Sequence, residues 1–199
     1  DMDSRDILTI KGLIRRGEAR TASSYNNIPL DRVHFLDLPF YETGKIQKNP
    51  ISEADVEIVR NLLREIKPHQ IFVAGDLADP HGTHRVCTDA VFAAVDLEKE
   101  EGAKWLKDCR IWMYRGAWAE WEIENIEMAV PISPEELRAK RNSILKHQSQ
   151  MESSPFLGND ERLFWQRSED RNRGTATLYD QLGLASYEAM EAFVEYIPL

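Results

Sequence analysis

Apolar positions recur along this chain in two rhythms, one of three and four residues and one of short unbroken runs. Ile7, Ile10 and Ile14, with Leu13 beside them, share the spacing of one helix face and predict a helix over 4–24. Arg15, Arg16, Glu18 and Arg20 give that helix a charged flank, which reads first as a solvated face. Asn26-Asn27-Ile28-Pro29 ends it. The run 33–38, closed by Pro39, predicts a short strand in which His34 is structural. Ser52 with Asp55 three residues later forms a capping box, and Val56, Val59, Leu62, Leu63 and Ile66 build the stripe of the helix behind it. Lys67-Pro68 stops that helix, and a buried strand at 70–74 follows. Such a strand–helix–strand unit predicts two parallel neighbours joined by a right-handed crossover.

Val86, Ala90, Ala93, Ala94 and Leu97 then predict a well-buried helix from Thr83, its cap, to the charged segment at 98–101. His84 falls in its first turn. Strands are expected at 110–114 and 122–130, with the tryptophans of the 115–121 connection read as packing. Ser133-Pro134-Glu135-Glu136 starts a helix with a Ser cap, a first-turn Pro and a capping-box Glu, ending near 147–150. Residues 152–177 are polar, with the charge run 167–173, and predict a long surface loop or lid. A last helix is expected over 186–195. Strands alternating with helices make the class α/β with a mainly parallel sheet.

Length and charge narrow the choices. A chain of 199 residues with 42% hydrophobic and 30% charged residues is globular and long enough for one domain over 1–199. A net charge of −9 argues against nucleic acid or an anionic membrane surface as partner. No apolar run reaches membrane-spanning length. Cys87 and Cys109 form no CxxC pattern and read as reduced thiols of a cytoplasmic protein, a disulfide being the alternative. The opening Asp1-Met2-Asp3 lacks an initiator methionine, so the chain reads as a piece of something longer.

Chemistry concentrates after the strand at 70–74. Two of the five histidines, His81 and His84, stand three residues apart beside Asp76 and Asp79. In an open α/β sheet ligands collect at the carboxyl ends of strands. Two imidazoles fall short of the three protein ligands and a water usual for catalytic zinc, so either aspartate is a further candidate.

Asp79-Pro80-His81-Gly82-Thr83-His84, between an apolar strand and a buried helix, resembles the second metal motif of the LmbE/PIG-L deacetylases. These zinc-dependent enzymes remove acetyl groups from N-acetylglucosamine units. Other segments match in order: Arg15-Arg16-Gly17-Glu18 with Ala22 resembles the family's Arg-x-x-Glu helix, and Phe35-Leu36-Asp37-Leu38-Pro39 its following strand. Ile66-Lys67-Pro68 resembles the run-in to the metal strand, and Lys140 through His147-Gln148-Ser149-Gln150 the late helix ending in His-x-Ser-Gln. The similarity covers most of residues 5–150.

That resemblance implies a Rossmann-like three-layer sandwich with a mainly parallel sheet lacking its first strand. It implies His84 as a zinc ligand, His81 as the group that polarises the carbonyl or stabilises the oxyanion, and Arg15 as a substrate contact. Asp79 and His147 would support these from behind. Two departures stand out. Thr83 replaces the family's usual Asp, and no His-Pro-Asp-Asp block occurs to supply the other zinc ligands and the general base. The wording DPHGTHRVC most resembles the C-terminal region of long bacterial proteins in which a glucosamine-6-phosphate deaminase-isomerase domain comes first.

The expectation is therefore zinc in the intact parent, with weak or absent zinc binding and little hydrolysis in these 199 residues. An amino sugar is the expected ligand, and an exposed sheet edge invites a homodimer. A different class competes: a non-catalytic sugar-binding or regulatory module attached to the deaminase-isomerase domain. Two-histidine phosphoesterase chemistry is a third reading, from His81-Gly82-Thr83 and His147-Gln148-Ser149. The helical setting of His147 counts against it.

Overall fold

The computed structural model describes residues 4–41, 49–75, 82–117, 119–151 and 161–198. Among them the elements run α1 (Arg5–Tyr25), α2 (Glu53–Ile66), β1 (Gln70–Ala74), α3 (Thr83–Glu100), β2 (Arg110–Tyr114), β3 (Met128–Ile132), α4 (Pro134–Ile144), α5 (Gln148–Met151), α6 (Phe164–Gln181) and β4 (Ala189–Tyr196). The class is α/β. The strand order is β1-β2-β4-β3, with β1 parallel and β4 antiparallel to β2. The sheet is thus mixed, which corrects the mainly parallel expectation. No described helix is long and apolar enough to cross a membrane.

Contacts divide the chain into two units, one of Asp1–Phe35 with Val130–Glu191 and one of Leu36–Ala129 with Ala192–Leu199. The second, the sheet unit, has an apolar core. Val56, Val59 and Leu63 of α2, Ala90, Ala94 and Val95 of α3, Val73 of β1 and Ile111 of β2 are all buried together. Each fully buried aliphatic side chain of this size contributes about 1.5–3 kcal/mol. The parallel register sets Val73 beside Met113 and Phe72 beside Trp112. Phe72 lies on the opposite face from Val73 and meets Phe193 edge-on at 5.5 Å.

Asp55 explains why α2 starts where it does. Its carboxylate accepts from the Ser52 amide at 2.8 Å and hydroxyl at 2.6 Å, closing the predicted capping box. It also accepts from the Phe40 amide at 2.9 Å, which anchors the segment before the helix. That segment is not the predicted strand. Leu36 and Leu38 pack on the core, but Asp37 takes a left-handed φ of +50° and Pro39 opens a 3-10 turn. A left-handed residue and a missing amide donor interrupt any ladder.

In the first, helical unit, α1 begins at a Ser4 cap and α4 at the predicted Ser133 box. The expected apolar face of α1 is not the buried one: Ile7, Ile10, Leu13 and Ile14 are exposed, and Ala22 is its buried residue. Two further expectations are corrected. The supposed loop or lid at 152–177 contains α6 from Phe164 onward, while 152–160 lies outside the described residues. The supposed last helix at 186–195 is β4, whose antiparallel pairing with β2 overrides its local helix propensity. The strand expected at 122–130 forms later, at Met128–Ile132, after a 3-10 turn at Ile123–Asn125.

The hidden face of α6 is polar: Ser168, Glu169, Arg171, Asn172 and Thr175 are buried with Ala176. Each charge has a partner. Arg141 grips Glu169 through two nitrogens at 2.5 and 2.7 Å. Arg171 pairs with Glu191, to which Lys140 also donates at 2.6 Å. Asn172 accepts from Lys140 at 2.7 Å and donates to the Met190 carbonyl at 2.7 Å.

Candidate functional site

In the sheet unit the candidate site is the end of β1, at the carboxyl edge of the sheet. Thr88 donates its hydroxyl to the Ala74 carbonyl at 2.7 Å, tying the early turns of α3 to the end of the strand. Gly75 continues the ladder one step, donating its amide to the Tyr114 carbonyl at 2.8 Å. A Cβ on Gly75 would lie 2.7 Å from both the Met113 Cβ and the Trp121 ring, so only glycine fits. Arg115, directly after β2, lays its guanidinium over the Trp121 ring at 4.0 Å from the centroid. Its Nη1 donates to the Gly75 carbonyl at 3.4 Å. The Trp121 Nε1 is buried with no hydrogen-bond partner among the described residues.

α3 starts on Gly82, whose φ of +68° suits glycine and which offers no side-chain cap. Thr83 is therefore the first helical residue rather than the cap. His84 is next, exposed in the first turn as its position in the sequence predicts. His81, Asp79 and Asp76 lie outside the described residues. Among the described residues no group of three His, Cys, Asp or Glu side chains could hold a metal ion. The described donors, with His84 as the one candidate ligand, do not fit a complete zinc site.

The helical unit unites the other two predicted motifs. Glu18 of α1 accepts from the Ser149 amide at 2.7 Å and the Ser149 hydroxyl at 2.6 Å. The hydroxyl hydrogen bond leads a set of effects that outweigh desolvation and hold the Glu18 carboxyl below its ordinary range. The Ser149 amide and the charges of His147 and Arg15 complete that set. Arg15 and His147, 132 positions apart in the numbering, thus share one carboxylate's electrostatic surroundings. α4 ends at Ile144, earlier than expected, and α5 starts at Gln148, so His147 sits in the break between them. Tyr25 reinforces the neighbourhood, accepting from Asn142 at 2.9 Å with Lys146 5.0 Å from its ring centroid.

A cavity of about 260 Å³ in the same unit is lined by Pro134, Leu137, Arg138, Arg141, Arg173 and Glu188. It contains none of the residues singled out from sequence. Its arginines face Glu135, Glu169 and Glu188, so their charge is already matched. Chemistry at the β1 exit and around Glu18 outweighs that cavity as a site. The sequence reading passed over Arg115 and Gly75 and took Trp121 for packing. The signal was present, because Arg115 follows an apolar run and so stands at a strand's carboxyl end.

No protein-family model matches the chain. Two of the solved structures that share its fold illustrate the likeness. A conserved protein from Thermus thermophilus is 20% identical with a TM-score of 0.60, the alignment covering 94% of this chain and 74% of that one. GalB, the 4-carboxy-2-hydroxymuconate hydratase of Pseudomonas putida, is 14% identical with a TM-score of 0.61, covering 94% of this chain and 72% of its own. At these identities the likeness concerns the α/β fold alone.

Proposed function

We propose that this chain belongs to a zinc-dependent amidohydrolase of the LmbE/PIG-L type acting on an amino sugar, in a cytoplasmic protein linked to glucosamine 6-phosphate metabolism. The observation that carries the reading is the double hydrogen bond from Ser149 to Glu18. It joins two segments that resemble motifs of the same family and lie 131 positions apart, and helical periodicity alone gives no reason for them to meet. His84 in the first turn of α3, the helix after β1, stands where the resemblance to the second metal motif would set a ligand. In this reading His84 is one ligand and the remainder come from residues beyond those described. Arg15 orients the substrate and His81 stabilises the oxyanion, and self-association of these 199 residues uses β1, the edge strand among the described residues.

The alternative, a module that binds sugar without turning it over, draws on Thr83, which occupies the first helical position with no cap role. One experiment separates them: zinc content and acetate release from N-acetylglucosamine and its 6-phosphate, for the full-length protein and His84→Ala. Stoichiometric zinc and acetate release, both lost in the variant, are expected. Saturable sugar binding without acetate release would establish the binding module. Zinc and turnover that ignore His84 would remove the deacetylase reading.

A further inference from the structure

The apolar stripe of α1 is left uncovered. Ile7, Ile10, Leu13 and Ile14 are exposed, Leu13 by 63% and Ile10 by 57%. The helix packs through its other side, which carries Ala19, Ala22 and Ser23. Four aliphatic side chains in one contiguous stripe mark a contact surface rather than scattered exposure. Positions 7, 10, 14, 17 and 21 alternate three and four apart, the heptad seam of a helix that pairs with another helix. Gly17 stands in that seam, and a Cβ there would meet nothing within 4 Å.

The flank of the seam selects the partner. Asp6, Leu13 and Arg20 follow one another along it at seven-residue intervals. In an antiparallel pair of identical helices that order is reversed across a two-fold axis. With Ile10 of one helix set against Ile14 of the other, Ile7 falls against Gly17, Leu13 meets its own copy at the axis, and Asp6 meets Arg20. The Phe35 ring, 5.4 Å from the Arg20 guanidinium, keeps that charge beside the helix. A parallel pair would set Gly17 on Gly17, leaving a gap in the seam, and Leu13 beside Glu18. Only the antiparallel order fills the gap, with Ile7. Lys11 meets its own copy on the opposite flank, a repulsion that exposed side chains in water keep small.

We propose that a second copy of this chain covers Ile7, Ile10, Leu13 and Ile14 by pairing α1 with α1 antiparallel, Asp6 of each copy lying on Arg20 of the other. This contact is separate from the β1 edge and independent of the amino-sugar reading. One four-turn seam covers less than the ~800 Å² per partner of a standard interface, so micromolar dissociation is expected.

Sedimentation equilibrium from about 1 to 500 μM tests this, a range that brackets such an affinity. Leu13→Glu, at an exposed position, puts two carboxylates together at the axis and should weaken the dimer by about a hundredfold. Asp6→Arg and Arg20→Asp should each weaken it by about tenfold, since every substitution acts twice across the axis. The double variant Asp6→Arg/Arg20→Asp reverses both charges and should dimerise more tightly than either single variant. A monomer at every concentration overturns the proposal. So does a monomer that binds vesicles of phosphatidylcholine and phosphatidylserine and loses that binding in Leu13→Glu, which would make the stripe a membrane contact. Dimers unaffected by Leu13→Glu use another surface, the β1 edge included, and overturn the α1 contact while leaving the sheet-edge one standing. A double variant as weak as its singles overturns the antiparallel pairing of Asp6 with Arg20.

Discussion

Around Val59 and Ile111 the sheet unit closes on hydrocarbon, whereas around Asn172 the helical unit closes on ion pairs. In the first, α2 and α3 bring Val, Leu and Ala side chains onto β1 and β2. In the second, α4, α6 and the start of β4 meet through Lys140, Arg141, Glu169, Arg171, Asn172 and Glu191. The two interiors fail differently. A truncated apolar side chain loses its own transfer energy and leaves a cavity. A deleted member of a buried charge network leaves its partners desolvated and uncompensated.

The largest expected effect follows from that asymmetry. Glu191→Leu leaves Arg171, whose side chain is only 4% exposed, and Lys140 without their shared carboxylate. A loss on the order of 3–5 kcal/mol is expected in urea unfolding, the cost of breaking a buried pair from one side. The triple variant Lys140→Met/Arg171→Leu/Glu191→Leu should recover most of it, because neither cation that shared the carboxylate is left behind. If the three single losses simply add, the network contributes nothing beyond its separate residues.

A second test uses pH. Burial pushes the Asp55 carboxyl up, but hydrogen bonds from the Ser52 hydroxyl and the Phe40 and Ser52 amides outweigh it, so its folded value is lowered. Glu191 is likewise pushed up by burial and brought down further by Arg171 and Lys140. A depressed carboxylate stabilises the folded state above its unfolded pKa and loses that contribution as pH falls through the folded value. Asp55→Asn should therefore cost about 2 kcal/mol at neutral pH, the scale of charge-assisted hydrogen bonds. Its deficit should shrink as pH falls from the ordinary carboxylate value of about 4 toward the lower folded one, below which wild-type Asp55 is protonated as well. Ile111→Val offers the contrast, a loss of about 1 kcal/mol from the apolar interior with little pH dependence.

The same contrast explains what the sequence made legible. α2, α3, β1 and β2 were visible because apolar residues recur along them at regular spacing, even though Arg60 and Glu98 are buried there as an ion pair, and the boxes at Ser52 and Ser133 marked helix starts directly. α6 was invisible for the opposite reason. Glu169, Arg171 and Asn172 look like a solvated charge run until Arg141, Glu191 and Lys140 arrive from distant positions. β4 was misread because Ala189 through Glu195 favours a helix locally and becomes a strand only by pairing with β2. At the site, the meeting of Glu18 with Ser149 followed motif order rather than periodicity. The contact of Arg115 with Trp121 and Gly75 escaped because it depends on packing, which no spacing records.

The smallest effects come from the two caps, and they separate a junction from an isolated helix end. Ser133 and Glu136 exchange hydrogen bonds at 3.2 and 2.8 Å on an exposed helix start. Ser133→Ala should cost about 1 kcal/mol or less, as usual for a lost cap. Ser52 does the same for α2, yet its hydroxyl also donates at 2.6 Å to the carboxylate that holds the Phe40 amide. Ser52→Ala should cost more than Ser133→Ala and, unlike it, reduce hydrogen-exchange protection at the Phe40 amide. Equal losses with unchanged protection at Phe40 would mean that Asp55 holds that segment without help from the cap. The buried carboxylate alone would then organise the entry to the sheet unit.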